Sequence, residues 1–76
     1  MFPSVKAGKM LRTLERKPLS YKVVRQKGSH RRLKSDAGYP DLLFSFHDGV
    51  TLPPRAVRKI LTKDVGLSTE EALELL

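Results

Sequence analysis

Seventy-six residues allow one hydrophobic core and leave no room for a second. That size excludes a deep enclosed pocket: two helices packed on one sheet is about the ceiling, and any site must lie on an exposed face. Lys and Arg number 15 against 8 Asp and Glu, a net charge of +7, and cysteine is absent; disulfides and thiolate metal sites are thereby excluded, and the composition fits a reducing cytoplasm.

The cations are unevenly spread. Lys22, Arg25, Lys27, Arg31, Arg32 and Lys34 follow one another with no acid between them. A field of that kind attracts phosphate backbones, acidic proteins or anionic lipid, although small soluble domains are also basic without any such role. No apolar run approaches the ~18 residues that cross a bilayer, and Met1 to Lys6 contains no signal-peptide hydrophobic region. A soluble, intracellular chain is expected.

Ser4 is a candidate cap for a first helix, with Gly8 weakening its first turn and offering a later start. Ala7, Met10, Leu11 and Leu14 follow the spacing of one apolar helical face. Pro18 ends the helix, because it lacks an amide hydrogen and restricts Lys17. Leu19 to Gln26 reads as a strand, with Tyr21 and Val23 on one face and Lys22 and Val24 on the other. Lys27-Gly28 is the expected turn, glycine being free to take a positive φ. His30 to Ser35 reads as a second strand, in which His30, Arg32 and Lys34 alternate with Arg31 and Leu33.

Residues 35–40 read as a loop by composition. A third strand follows from Asp41 to Phe46; Leu42, Phe44 and Phe46 share one face, Leu43, Ser45 and His47 the other. Asp48-Gly49 breaks it. Thr51 to Pro54 leads into a second helix with proline in its first turn and Val57, Ile60, Leu61 and Asp64 or Val65 at helical spacing. Gly66 stops that helix. Ser68-Thr69-Glu70-Glu71 matches a capping box opening a short acidic helical tail, which either packs back on the domain or serves a partner.

The expected fold class is therefore α+β, in the order α-β-β-β-α, with a three-stranded antiparallel sheet, helices on one face and a short C-terminal helical tail. Tyr21, Val23, Leu33, Phe44 and Phe46 are the candidates for the covered sheet face. Strand parity then puts His30, Arg32, Lys34, Ser45 and His47 on the open face, provided no bulge intervenes.

The segment Lys22-Val23-Val24-Arg25-Gln26-Lys27-Gly28-Ser29-His30 resembles the hallmark of HicA-type mRNA interferase toxins of bacterial toxin–antitoxin systems. Gly8-Lys9-Met10-Leu11 is similar to that family's opening helix. His47-Asp48-Gly49, the Val57 to Leu61 helix and the Val65-Gly66-Leu67-Ser68 ending fall in its order and spacing. The third strand and Leu52-Pro53-Pro54 depart from the usual family pattern. The match covers about residues 8–68 of a single domain spanning 1–76, with 69–76 as the acidic tail.

The resemblance implies a double-stranded-RNA-binding-domain-like fold and a metal-independent endoribonuclease that cleaves mRNA in the bacterial cytoplasm. It also implies inhibition by a HicB-type antitoxin protein. His30 matches the histidine taken as catalytic. RNA carries its own nucleophile, the 2′-hydroxyl, so a base to take that proton and cations to stabilise the phosphate suffice. A neutral imidazole suits the first task, and Lys27, Arg31, Arg32 and Lys34 are candidates for the second. Ser29 is either a phosphate contact or a turn hydroxyl, and His47 either a second acid/base group or a turn residue. Asp36, Asp41, Asp48 and Asp64 are too scattered to suggest a two-metal cluster, and no metal or cofactor is expected. The alternative is a noncatalytic double-stranded-RNA-binding module.

Overall fold

A computed structural model describes all residues, 1–76. The chain begins with a two-residue strand β1 (Val5–Lys6), followed by helix α1 (Ala7–Glu15), strands β2 (Tyr21–Lys27), β3 (His30–Ser35) and β4 (Leu42–Phe44), and a two-residue strand β5 (Thr51–Leu52). Helix α2 (Pro54–Arg58) runs on without a break into a π-helical segment (Lys59–Asp64), and helix α3 (Thr69–Leu75) closes the chain. The three central strands form one antiparallel sheet in the order β2-β3-β4, while β1 and β5 pair separately. The architecture is α+β and agrees with the α-β-β-β-α order of a double-stranded-RNA-binding-domain-like fold.

The apolar spacing of α1 behaves as expected: Ala7, Met10 and Leu14 are buried and Leu11 is half-buried. Its start differs. Ser4 is not the cap, because Val5 and Lys6 are extended and pair with Leu52 and Thr51. The first helical amides are satisfied from elsewhere in the chain: Ala7 N–H donates to the Val50 carbonyl at 2.8 Å and Gly8 N–H to the Asp48 carbonyl at 3.0 Å. Gly8 permits this approach, since a Cβ there would stand 3.3 Å from the Cβ of Asp48 and 3.4 Å from its carbonyl oxygen. The helix also ends at Glu15, before Pro18, with Arg16 already extended.

In the sheet, Tyr21, Leu33, Leu42 and Phe44 are buried beneath the helices, and Phe46 packs against this core at its margin. Phe44 and Phe46 meet edge to face, with centroids 5.4 Å apart, a favoured arrangement for aromatic quadrupoles. Val23 does not join the core. It stands opposite Leu33 on the covered side, but β2 is an edge strand and Val23 remains 37% exposed. The third strand is shorter than its sequence pattern, ending at Phe44, where the ladder to Arg31 ends. The reversal between β2 and β3 is made by Gly28-Ser29, one residue later than expected; Gly28 has φ +61°.

Val57, Ile60, Leu61 and Val65 bring α2 and its extension onto the core. The widened turn is seen in the bond from Val65 N–H to the Ile60 carbonyl at 2.9 Å. Gly66, with φ +94°, then ends the helix, and Leu67 N–H reaches back to the Leu61 carbonyl. The capping box forms as read: Glu71 N–H donates to Ser68 Oγ at 3.1 Å and Ser68 N–H to Glu71 Oε1 at 2.9 Å. Hydrogen bonding to Ser68, first from its backbone N–H and then from its side chain, holds the Glu71 carboxyl below its ordinary range. Of the two fates open to the tail, packing is realised: Ala72 is fully buried, Leu75 lies against the core, and Arg16 Nη2 donates to the Leu75 carbonyl. No helix is long and apolar enough to cross a membrane.

Candidate nucleic-acid interface

The open face of the sheet is organised by one irregularity. The β2–β3 ladder pairs Lys22 with Lys34 and Val23 with Leu33, then skips a residue and pairs Arg25 with Arg32, Gln26 with Arg31 and Lys27 with His30. Val24 is the extra residue of a β-bulge. A bulge shifts strand parity by one. Uninterrupted alternation from the covered Val23 would turn Arg25 and Lys27 toward the helices; the bulge turns both outward, opposite Arg32 and His30.

The result is a shallow open concavity of about 220 Å³ lined by Arg25, Lys27, His30, Arg32 and Leu43. Three cations surround one imidazole, and the apolar element is Leu43, 66% exposed and paired with Arg32 across the β3–β4 ladder. His30 is exposed at the first position of β3, held by the Gly28-Ser29 turn. Its Nδ1 lies 3.4 Å from Ser45 Oγ, one residue beyond the end of β4. Nε2 makes no hydrogen bond within the chain and is the nitrogen left for a ligand. None of the three cations lining the concavity forms an ion pair within the chain. Such a concavity can bind an anion, and its imidazole can accept a proton from a group beside that anion.

The sequence candidates therefore separate. Lys27, His30 and Arg32 come together. Lys34 shares their face but stands further along β3, opposite Lys22, which pairs with Asp36 at 3.2 Å. Ser29 is half-buried in the turn. Arg31 lies on the other side of the sheet: it alternates with His30 and Arg32, its side chain is 13% exposed, and Nη1 meets Asp48 Oδ1 at 2.9 Å. That contact is ionic, without a well-aligned hydrogen bond from the inaccessible Nη1. Arg31 is thus committed to anchoring the 47–50 loop and is not brought to His30. His47 is exposed in that loop, its carbonyl accepting the Val50 amide at 3.0 Å, and it does not line the concavity. Its turn role is the one seen.

Two participants escaped the sequence pattern. Unbroken parity in β2 would set Arg25 on the inward face with Tyr21 and Val23; a charged residue at an inward position directly after two valines is itself the sign of a bulge. Ser45 was on the open face by parity, but its proximity to His30 depends on the β3–β4 register.

A comparison with protein families matches residues 8–67 to HicA toxin of bacterial toxin–antitoxin. Compared with curated proteins and with solved structures, the chain finds no match. The matched span contains α1 from Gly8 onward, all of the three-stranded sheet and α2 with its π-helical extension, including every residue of the His30 concavity. The chain belongs to the HicA toxin family of bacterial toxin–antitoxin systems.

Proposed function

We propose that the chain is a metal-independent endoribonuclease that cleaves mRNA in the bacterial cytoplasm, with His30 as general base, and that a HicB-type antitoxin protein restrains it. The observation that carries this reading is the His30 concavity: an imidazole with a free Nε2 among Arg25, Lys27 and Arg32.

The chemistry follows from those groups. With Nδ1–H directed at Ser45 Oγ, Nε2 carries the lone pair and takes the proton of a ribose 2′-hydroxyl. The 2′-oxygen bonds to the adjacent phosphorus while the bond from phosphorus to the 5′-oxygen breaks. The departing 5′-oxygen takes a proton from water, to which the concavity is open. The products are a cyclic phosphate and a 5′-hydroxyl end. Arg25, Lys27 and Arg32 offset the charge that grows on the phosphate oxygens. RNA supplies the nucleophile, so no metal-activated water is needed. An acidic antitoxin surface would complement the net charge of +7.

The test is cleavage of a labelled mRNA by purified wild type and His30→Ala, with and without EDTA. Wild type should cut in both buffers. The variant should lose a factor of about 10²–10⁴, the usual contribution of a positioned base, with an unchanged circular dichroism spectrum. Equal cutting by both proteins, or no cutting by wild type, would overturn the assignment. Loss of cutting in EDTA alone would overturn its metal independence.

A further inference from the structure

Two further concavities lie beyond the His30 site and share lining residues with it in series. Leu43 borders the His30 concavity and also a second one of about 210 Å³, where Leu43, Ser45 and Phe46 at the sheet edge face Lys59, Ile60 and Asp64 of the α2 extension. Lys59 in turn borders a third, of about 380 Å³, which has no apolar lining and is formed by Arg55, Arg58, Lys59, Thr62 and Lys63. A continuous path therefore leads from His30 around the free edge of β4 to the cationic flank of α2.

The chemistry along this path alternates. It begins with three cations, passes a saddle of Leu43 and Phe46 containing the carboxylate of Asp64, and ends among cations again. Lys59 pairs with Asp64 at 3.3 Å, but Arg55, Arg58 and Lys63 are exposed and form no ion pair within the chain. A solvated helix flank alone would explain exposed cations. It would not explain their sharing a concavity that joins, through two common residues, the one around His30.

We infer that this path is the track of a single-stranded RNA segment. Phosphates lie in the His30 concavity and along Arg55, Arg58 and Lys63, and an unpaired base lies over the Leu43–Phe46 saddle between them. The inference rests on the endoribonuclease reading and extends it to the nucleotides flanking the cut. The middle position offers a phosphate no net positive charge, because its one cation, Lys59, is paired with Asp64. It suits a base, whose flat apolar surface covers Leu43 and Phe46 and whose exocyclic amino group can donate to Asp64. A paired base is closed off by its partner strand, so the track requires unpaired RNA.

The test uses fluorescein-labelled 2′-O-methyl oligonucleotides, which lack the reactive hydroxyl and remain intact. Anisotropy titrations compare wild type with the triple variant Arg55→Gln/Arg58→Gln/Lys63→Gln at several salt concentrations, after circular dichroism has shown both folded. Loss of three phosphate contacts should reduce the salt slope by about 2, from ~0.7 per phosphate of a single strand. Octamer affinity should fall at least about tenfold at low salt, and the ratio of wild-type to variant affinity should grow from trimer to octamer. A complementary strand should weaken octamer binding by wild type.

Equal affinities and slopes for the two proteins would overturn the track while leaving cleavage by wild type, the separate test of His30, untouched. Undiminished binding of the duplex would overturn the unpaired-base assignment. If the variant kept full RNA affinity but lost binding to a co-expressed acidic antitoxin, the α2 flank would be a protein-docking surface, and the track would again be refuted. If wild type neither bound nor cut RNA, both readings would fall together.

Discussion

Tyr21 is 3% exposed at the start of β2, and its Oη donates to the Pro40 carbonyl at 2.6 Å, holding the 36–40 loop. Burial, reinforced by the negative charge of Asp41, pushes its hydroxyl up from 10.0 to about 12. An acid whose folded value exceeds its unfolded value loses its proton first in the unfolded chain, so ionisation favours unfolding. The stabilisation is fully present below pH 10 and declines as pH rises toward about 12, by about 1.4 kcal/mol per pH unit. Tyr21→Phe should cost about 1 kcal/mol near neutrality through the lost hydrogen bond. Its urea-derived stability should then approach and cross that of wild type between those two values; parallel curves would contradict the assignment. Single residues also mark how far sequence alone reached at the site. His30, Arg32 and Lys34 were legible as an outward group, because a histidine and cations alternating with Leu33 leave little choice of face, whereas Lys27 was readable only as part of the turn and owes its place beside His30 to the bulge. Arg31 was not separable from Arg32 by composition. Strand alternation set it with Leu33 on the face opposite Arg32, but only the position of Asp48, which no local pattern encodes, shows that it braces a loop.

At the scale of elements, the order of helices and strands was readable from apolar spacing, proline and glycine, and the Ser68 capping box was readable to the residue. The elements that were missed are those made by distant partners. β1 and β5 are two residues each and exist only through each other, and the π-helical widening after Arg58 has no signature in a pattern of helical period. The Val24 bulge belongs to the same class, and it yields a prediction that runs against intuition. Removing a residue from a strand normally reverses every side chain beyond it. Here, deleting Val24 removes the unpaired residue itself: Arg25 then follows Val23 and still meets Arg32. The deletion should retain folding to within about 1 kcal/mol and keep Arg25 and Lys27 on the side of His30. Cross-strand α-proton contacts between Arg25 and Arg32 in nuclear magnetic resonance spectra would show it. Their replacement by an Arg25–Leu33 pairing would refute it.

The whole molecule is a slab, with principal extents of 32 × 27 × 17 Å, and its thinness gives neighbouring residues opposite fates. Phe44 is 2% exposed in the core and Leu43, one position earlier, is 66% exposed on the outer face. Phe44→Ala should cost about 3–5 kcal/mol, a large share of the ~4–11 kcal/mol typical of a chain this size. Leu43→Ala should cost under about 0.5 kcal/mol. Urea titrations followed by circular dichroism would separate the two, and similar midpoints would mean that the faces are misassigned. The clasp at the N-terminal end has a consequence for the birth of the chain. α1 is completed by the carbonyls of Asp48 and Val50, β1 before it pairs with Thr51 and Leu52, and the core draws Leu52, Val57, Ile60, Leu61, Val65, Leu67 and Ala72 from the last third of the sequence. A ribosome adding ~5–20 residues per second has synthesised His30 and all three cations around it while α2, its extension and α3, much of the layer that supports their sheet, are still untranslated. The nascent toxin is thus unassembled for most of its synthesis, and a message broken before its last third directs the production of a chain that bears the site's residues but never the site.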